Sequence, residues 1–270
     1  MSLPVLAPVR PALAPTGLRL GLVAARIHPR RRPHLVAAGH ERIAADLLRI
    51  YRHELAGGTG AVPVALNGNS FRSMTEALVA ELATGPPLDV VLLAYEKPDV
   101  HVPEVAGCYL SHACPGEPVA FSVSDQGVGA PFTALRLADA MCRDGASSAG
   151  ALFVLDRAVL ADDESTDSVV LLRFGGTGSA AVTSITETVV ADPMAALAAL
   201  VASAPDAAVV VGAGLAGVAP DGVTVASSRL GCTGPWAALA RRWPLTGTVV
   251  LADHDARTGR LFTCTLVGPR

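Results

Sequence analysis

The sequence predicts a layered α/β protein made of two halves of similar order, and three observations lead there. Apolar runs of strand length alternate with stretches of helical periodicity along most of the 270 residues. Several of those runs, such as DVVLLAY at 89–95 and ALFVLDRA at 151–158, are apolar almost throughout, as strands covered on both faces are. The order of elements in the second part of the chain follows the logic of the first, which suggests an internal pseudo-repeat with its boundary near 160 and halves of 1–160 and 161–270.

Residues 18–27, LRLGLVAARI, read as the first strand, which the prolines of HPRRRPH cannot continue. Leu35, Ile43, Ala44, Leu47, Leu48 and Tyr51 recur at helical spacing over 35–55, and Gly57-Gly58 stops that helix. A shorter helix is expected over 73–82, with Ser73 and Glu76 at capping-box spacing. A strand at 89–95 follows, and after the helix that ends near Gly145 comes a strand at 151–158 and an acidic loop at 161–167. Residues 169–185 read as two strands joined by a glycine turn. The rest alternates: helix 193–204, strand 207–214, helix 235–242, strand 246–255 and a last strand at 261–267.

Composition narrows the function classes. Hydrophobic residues make up 51%, charged residues 17% and aromatics only 4%, so the core must be built from Ala, Val and Leu. A net charge of -3 gives no nucleic-acid footprint, and no apolar run is long enough to span a membrane. The first residues, MSLPVLAPVRPALAPTG, lack a compact apolar core followed by a small-residue cleavage site, so a cytoplasmic location is expected. The five cysteines have no CxxC pairing, which argues against both a disulfide framework and a structural zinc. One basic run stands out, RIHPRRRPH at 26–34. Its plain reading is a solvated loop; its sharper one is a docking patch for an acidic partner.

The most informative stretch is 118–145, PVAFSVSDQGVGAPFTALRLADAMCRDG. It reads as a buried strand, a tight glycine-bearing turn and a long apolar helix. Such a turn points free backbone N–H groups and the positive end of the helix dipole at whatever lies in it. Acyl-transfer enzymes put a nucleophile there. This turn offers Ser124, Asp125, Gln126, Gly127, Val128 and Gly129, and no cysteine. Two other glycine stretches carry no nucleotide signal. FGGTGSAA at 174–181 lacks the Lys-Ser/Thr ending of a phosphate loop and is expected to be a hairpin turn. GAGLAG at 212–217 has dinucleotide spacing, yet VAPDGV after it breaks a helix instead of starting one.

The order strand, small-residue turn, long helix, buried strand, acidic loop and glycine hairpin resembles the thiolase-fold ketosynthases, in particular the ketoacyl carrier-protein synthase III group. FSVSDQGVG at 121–129 stands where that group has F-D-L-x-x-A-C-x-G, and FGGTGSAA where it has F-G-D-G-A-x-A. Gly231-Cys232-Thr233 stands at its G-N-T turn. The likeness covers about 80–270 and implies a thiolase-like α-β-α-β-α fold of two pseudo-repeated halves. It also implies that the three catalytic positions are not retained: Gly127 lies at the cysteine, Gly212 or Ala213 near the histidine, and Cys232 at the asparagine. Condensation needs the cysteine to carry the acyl group, with His and Asn bonding the thioester oxygen.

The function expected on this basis is a degenerate ketosynthase III-like protein of an acyl-thioester pathway, polyketide or fatty-acid-like, acting as a non-condensing partner subunit of an active ketosynthase. The alternative is an active acyltransferase, hydrolase or cyclase on a carrier- or CoA-bound acyl group, using Ser124 and Asp125 with His112 from the preceding CYLSHACPG, where Cys108 and Cys114 also lie. Against it, a Ser beside an Asp in a turn usually bonds the local backbone. A third reading, a binding module unrelated to thioesters, remains if the resemblance is accidental. Cys232 is expected to be a small buried residue, and His254, between two aspartates, a solvated turn residue. No metal or cofactor is implied beyond acyl-CoA or acyl carrier protein as substrate or partner. The carrier would meet Arg26, Arg30, Arg31 and Arg32, and the strand 119–123 would pair in a homodimer or heterodimer.

Overall fold

The computed structural model describes residues 17–29, 34–35, 46, 65–66, 69–99, 101, 104–158 and 165–269. Its first part contains β1 (Arg19–Ile27), the short pair β2 (His34–Leu35) and β3 (Ala65–Leu66), and α1 (Phe71–Val79). Then come β4 (Val90–Tyr95), α2 (Ala106–Ala113), β5 (Val119–Val123), α3 (Ala130–Arg143), β6 (Ala149–Asp156) and β7 (Ser168–Gly175). Its second part contains β8 (Ala180–Val189), α4 (Pro193–Ser203), β9 (Ala208–Val211), β10 (Thr224–Val225), α5 (Gly234–Ala240), β11 (Thr248–Asp255) and β12 (Arg260–Val267).

Ten strands form one ladder, β10-β9-β11-β12-β8-β1-β7-β6-β4-β5. Numbered within each set of five, both sets have the order 3-2-4-5-1: β5-β4-β6-β7-β1 and β10-β9-β11-β12-β8. In both, the last strand in sequence, β7 or β12, runs antiparallel to its neighbours, while the three strands beyond pair in parallel. Along the ladder the two sets join where Arg19 and Leu20 of β1 face Ala181 and Ala180 of β8. The pseudo-repeat is therefore a repeat of topology. By strand order the division falls between β7 and β8, at 175–180, and the stretch near 160 lies inside the first set, between β6 and β7.

Alternation along the strands builds the layers. Val90, Leu92 and Ala94 of β4 face a central core shared with Phe132, Ala134 and Leu135 of α3 and Trp236 and Leu239 of α5, while Val91 and Leu93 face α1 and α2. In the second set Val249 and Leu251 look inward, and Val250 and Ala252 look outward to Leu197 of α4. Two inner helices thus lie between two sheet faces, with α1 and α2 outside one and α4 outside the other, which is the expected α-β-α-β-α stacking. The inner helices touch through Phe132 and Trp236, whose ring centroids are 5.1 Å apart, and Phe132 stacks on Phe262 of β12 at 5.8 Å. With so few aromatics, these three rings tie the two inner helices to each other and to β12 of the second set.

Most element edges fall within a few residues of expectation, and the exceptions have local causes. The capping box of α1 joins Ser70 and Ser73 rather than Ser73 and Glu76, because Phe71 is buried against Tyr95 and draws the first turn inward. The helix expected over 35–55 falls almost wholly outside the described residues. Helix α2 has no sequence signal at its start, since Val105 supplies no side-chain cap. Strand β5, read as buried, is the sheet edge, with Val119 60% and Phe121 46% exposed. No described helix is long and apolar enough to cross a membrane.

Candidate functional site

The turn between β5 and α3 carries the first three predicted positions. Asp125 and Gly127 both have positive φ, 59° and 51°, so the chain folds back sharply before a single 3-10 turn at Gly127–Gly129. Gly129 must be a glycine, since a Cβ there would lie 2.3 Å from the Phe262 ring. Ser124 Oγ donates to Asp125 Oδ2 at 3.2 Å, and Asp125 is exposed. His112 lies in the last turn of α2, exposed, on the outer face of the first sheet, whereas α3 lies on the inner face. The structure brings Ser124 and Asp125 together, and the sheet stands between His112 and the inner face on which that turn opens. Cys108 is exposed on α2, and burial pushes the Cys114 thiol up to about 11.

Gly127 is buried, and the space beside it belongs to an acid. A Cβ placed on Gly127 would sit 3.2 Å from Asp255 Oδ2. Asp255 closes the turn after β11, accepting from the Arg257 N–H and the Thr258 hydroxyl, each at 2.9 Å. The residue at the same place in the first set is Asp156, the last of the eight-residue β6 as Asp255 is of β11. Asp156 faces the loop ahead of α5. Its Oδ1 accepts from Cys232 N at 3.1 Å and from the thiol at 3.3 Å, and its Oδ2 from Thr233 N at 2.8 Å and Thr233 Oγ1 at 2.5 Å. Ser168 Oγ and Thr233 Oγ1 lie 2.7 Å apart and extend the network into β7. Each half thus presents a strand-end aspartate to the helix-entry turn of the other.

Cys232 is fully buried, as expected of a small core residue. Burial, then the charges of Asp156 and Glu96, raise its thiol well above the ordinary range, so it is a neutral donor and no thiolate.

The third position is closed from an adjacent strand. A Cβ on Gly212 would fall 1.9 Å from Asp253 Oδ2, so the Asp253 carboxyl occupies the slot into which a side chain at 212 would project. Ala213, beside it, opens the 3-10 turns Ala213–Val218. Asp253 Oδ1 is fixed by the His254 N–H at 2.9 Å and the Gly214 N–H at 3.2 Å; Oδ2 is buried with no hydrogen-bond partner. Burial, opposed by those two bonds and reinforced by Glu96 and Asp156, pushes the Asp253 carboxyl up to about 7. His254 is 8% exposed and belongs to β11, which corrects its reading as a solvated turn residue. The regular pairing of β11 with β12 continues through Asp255 and keeps His254 inside the ladder.

Glu96, one residue past β4, completes the acidic group. Its Oε2 would lie 3.1 Å from a Cβ on Gly231, and Asp156 Oδ1 3.0 Å from the same point. Burial, then Asp156, raises its carboxyl above the usual range. The four acids were missed in the sequence, although each sits at or just past the C-terminal end of an apolar strand, where open α/β sheets place their crevices. Among the described residues no group of three His, Cys, Asp or Glu is arranged to hold a metal ion. Arg26 is exposed and pairs with Glu81 at 3.5 Å, and Arg30, Arg31 and Arg32 lie outside the described residues.

No family model matches the sequence, and no curated protein does. Solved structures do. The chain is similar to AbyA1, a tetronic acid condensing enzyme, at 12% identity and TM-score 0.63, over 93% of this chain and 100% of that one. It is similar to ChlB3, described as an acyltransferase, at 16% identity and TM-score 0.62, over 93% and 97%. It is also similar to the 3-oxoacyl-(acyl carrier protein) synthase III FabH from Pseudomonas aeruginosa PAO1, at 12% identity and TM-score 0.61, over 94% and 98%. All are thiolase-fold enzymes, and likeness at this identity establishes a shared fold.

Proposed function

We propose that this thiolase-fold chain is a degenerate ketosynthase III-like protein of an acyl-thioester pathway, serving as a non-condensing partner subunit of an active ketosynthase. The observation that carries this reading is the Asp253 carboxyl lying in the slot beside Gly212; the resemblance puts a histidine that bonds the thioester oxygen near Gly212 or Ala213. Condensation develops negative charge on that oxygen, and donors aimed at it do the stabilising. Here an acid stands beside each of the three positions, Asp255 at Gly127, Asp253 at Gly212 and Asp156 beside Cys232, in place of a histidine and an asparagine, and Gly127 offers no side chain to carry an acyl group. Incubation with acyl-CoA and acyl-carrier thioesters is expected to leave the intact mass unchanged and to give no turnover. Turnover that vanishes in Ser124→Ala would sink this reading in favour of the Ser124-based acyl transfer.

The exposed edge strand β5 supports the partner-subunit part of the proposal. Val119 and Phe121 point to the same face of the sheet as α3, on which Leu137 is 39% exposed, and the edge's N–H and C=O groups await a second strand. A ketosynthase paralogue or a second copy would supply that strand. Phe121→Arg is expected to weaken the association by at least about tenfold, as truncating or charging a central aromatic does. Equal sedimentation or co-purification of wild type and variant would remove β5 from the interface. In the same proposal, Arg26 and the neighbouring Arg30, Arg31 and Arg32 meet the acyl carrier protein.

A further inference from the structure

We infer that the strand docking on the edge of β5 belongs to a different chain, one with lysines or arginines at the two ends of its own edge strand, and that a second copy of this chain is the wrong occupant. This rests on the proposed reading of β5 as the docking edge and adds the chemistry of what docks there.

The charges around β5 are of one sign. No Lys or Arg occurs from 98 to 135, so the strand and the turns at both its ends lie in a stretch without either. Glu117 stands two residues before β5 and Asp125 two residues after it, and both are exposed. Both have positive φ, 51° and 59°, at the points where the chain enters and leaves the sheet. Asp125 takes a hydrogen bond from Ser124 Oγ, and among the described residues neither acid is in an ion pair. Between them VAFSV is uncharged, with Val119, Phe121 and Val123 alternating onto one face.

A dimer of identical chains closes about a two-fold axis, which sets each patch against its own copy. Antiparallel pairing centred on Phe121 is the register that joins every residue of β5, with Val119 opposite Val123 of the second copy. A shift of centre by one residue either way brings Pro118, which has no N–H, or the turn at Ser124 into the ladder. In the full register Glu117 of each copy comes beside Asp125 of the other, so acid meets acid at both ends of the joint. Parallel pairing about a two-fold sets Glu117 against Glu117 and Asp125 against Asp125, with the same result. Like charges facing each other across a strand pair destabilise it, and such repulsion selects against the wrong partner. The flank of α3 that carries Leu137 has the reverse sign. Arg136 and Arg260 both pair with Glu187, and Arg143 pairs with Asp139, so three guanidiniums share two carboxyls, and each guanidinium side chain is more than a third exposed. Where the joint extends to α3, a second copy sets cation against cation. A chain with cations at its strand ends and a surplus of acid opposite α3 complements both surfaces.

Glu117→Lys tests this in the full chain, because one reversal lets two copies complement each other at both ends of the joint. Sedimentation equilibrium in about 50 mM salt is expected to show Glu117→Lys self-associating at least about tenfold more tightly than the wild type, and the difference is expected to shrink in about 500 mM salt. Asp125→Asn, which keeps a residue tolerant of positive φ, is expected to fall between the two. The gain in Glu117→Lys is expected to vanish when Phe121→Arg is added. A wild type that self-associates as tightly as Glu117→Lys, with both dimers broken by Phe121→Arg, overturns the choice of partner and leaves β5 standing as a docking edge. A gain that survives Phe121→Arg, or no association in any of these chains, overturns both. Should Glu117→Lys not fold, wild type and Asp125→Asn are compared at the two salt concentrations, and equal association at the lower one overturns the inference.

Discussion

Asp156→Ala is expected to destabilise the protein by about 2–6 kcal/mol, the cost of leaving two buried N–H groups without acceptors. The carboxylate accepts four hydrogen bonds from Cys232 and Thr233, two of them from their backbone N–H groups. Relief of repulsion with Glu96 offsets part of the loss, so the Glu96 carboxyl should also move down toward its ordinary range. Asp156→Asn does not rescue fully, because its amide N–H₂ would meet one of two N–H donors. Urea midpoints at constant slope measure the loss, and carboxyl-carbon NMR of Glu96 measures the shift. A change within about 0.5 kcal/mol, the range of an ordinary surface substitution, would mean that the halves are not held at this point.

Gly212→His, which puts an imidazole at one of the two positions, 212 and 213, near which the resemblance places it, is expected to cost about 3 kcal/mol or prevent folding, the upper end for overpacking. Its Cβ would stand 1.9 Å from Asp253 Oδ2 and 2.1 Å from Cγ. Pairing it with Asp253→Ala should recover part of that loss, giving a coupling energy of about 1–3 kcal/mol in a double-mutant cycle. Additive effects would mean that the two side chains do not share one slot. Gly217→Ala, in the same 3-10 turns but with nothing within 4 Å of its Cβ, provides the mild comparison.

The fold was largely legible because its strands are buried on both faces. Runs such as 89–95 and 151–158 owe their near-continuous apolarity to lying between layers, and that apolarity is visible without coordinates. The glycine turn between β7 and β8 was legible through Gly175 and Gly178, which the close approach of Ser148 and Leu20 backbone requires, but its reading as a hairpin is corrected: β1 lies between the two strands and pairs with both. Helix α2 was not, since AGCYLSHA carries no cap and too short a period. Edge exposure of β5 was not legible either. Whether VAFSV is covered depends on which strand lies outermost, and sheet order is a long-range property.

The site divides along the same line. The absence of a nucleophile at Gly127 and the burial of Cys232 follow from local pattern and motif position. The acids that fill the site do not, because Glu96, Asp156 and Asp253 come from three strands and meet only when the two halves are stacked. His254 drew attention in the sequence, while the aspartate before it holds the slot. Ser124, Asp125 and His112 are close along the chain, and a sheet intervenes between the last of them and the inner face.

The contact between Asp253 and Gly212 also sets the order in which substitutions at these two positions could be accepted. A histidine arriving at 212 meets an occupied slot and is penalised before it can contribute anything, so selection would discard it. The opposite order clears the slot first: loss of the Asp253 carboxyl removes a buried acid with one unpartnered oxygen, at the cost of the acceptor for the His254 and Gly214 N–H groups, and leaves a vacancy that a later histidine can enter. Entry of a side chain at 212 thus waits on a change at 253, a residue that is none of the three motif positions. Under the proposed reading, one position outside the motif therefore gates the slot, and changes at 127, 212 and 232 alone do not reopen it.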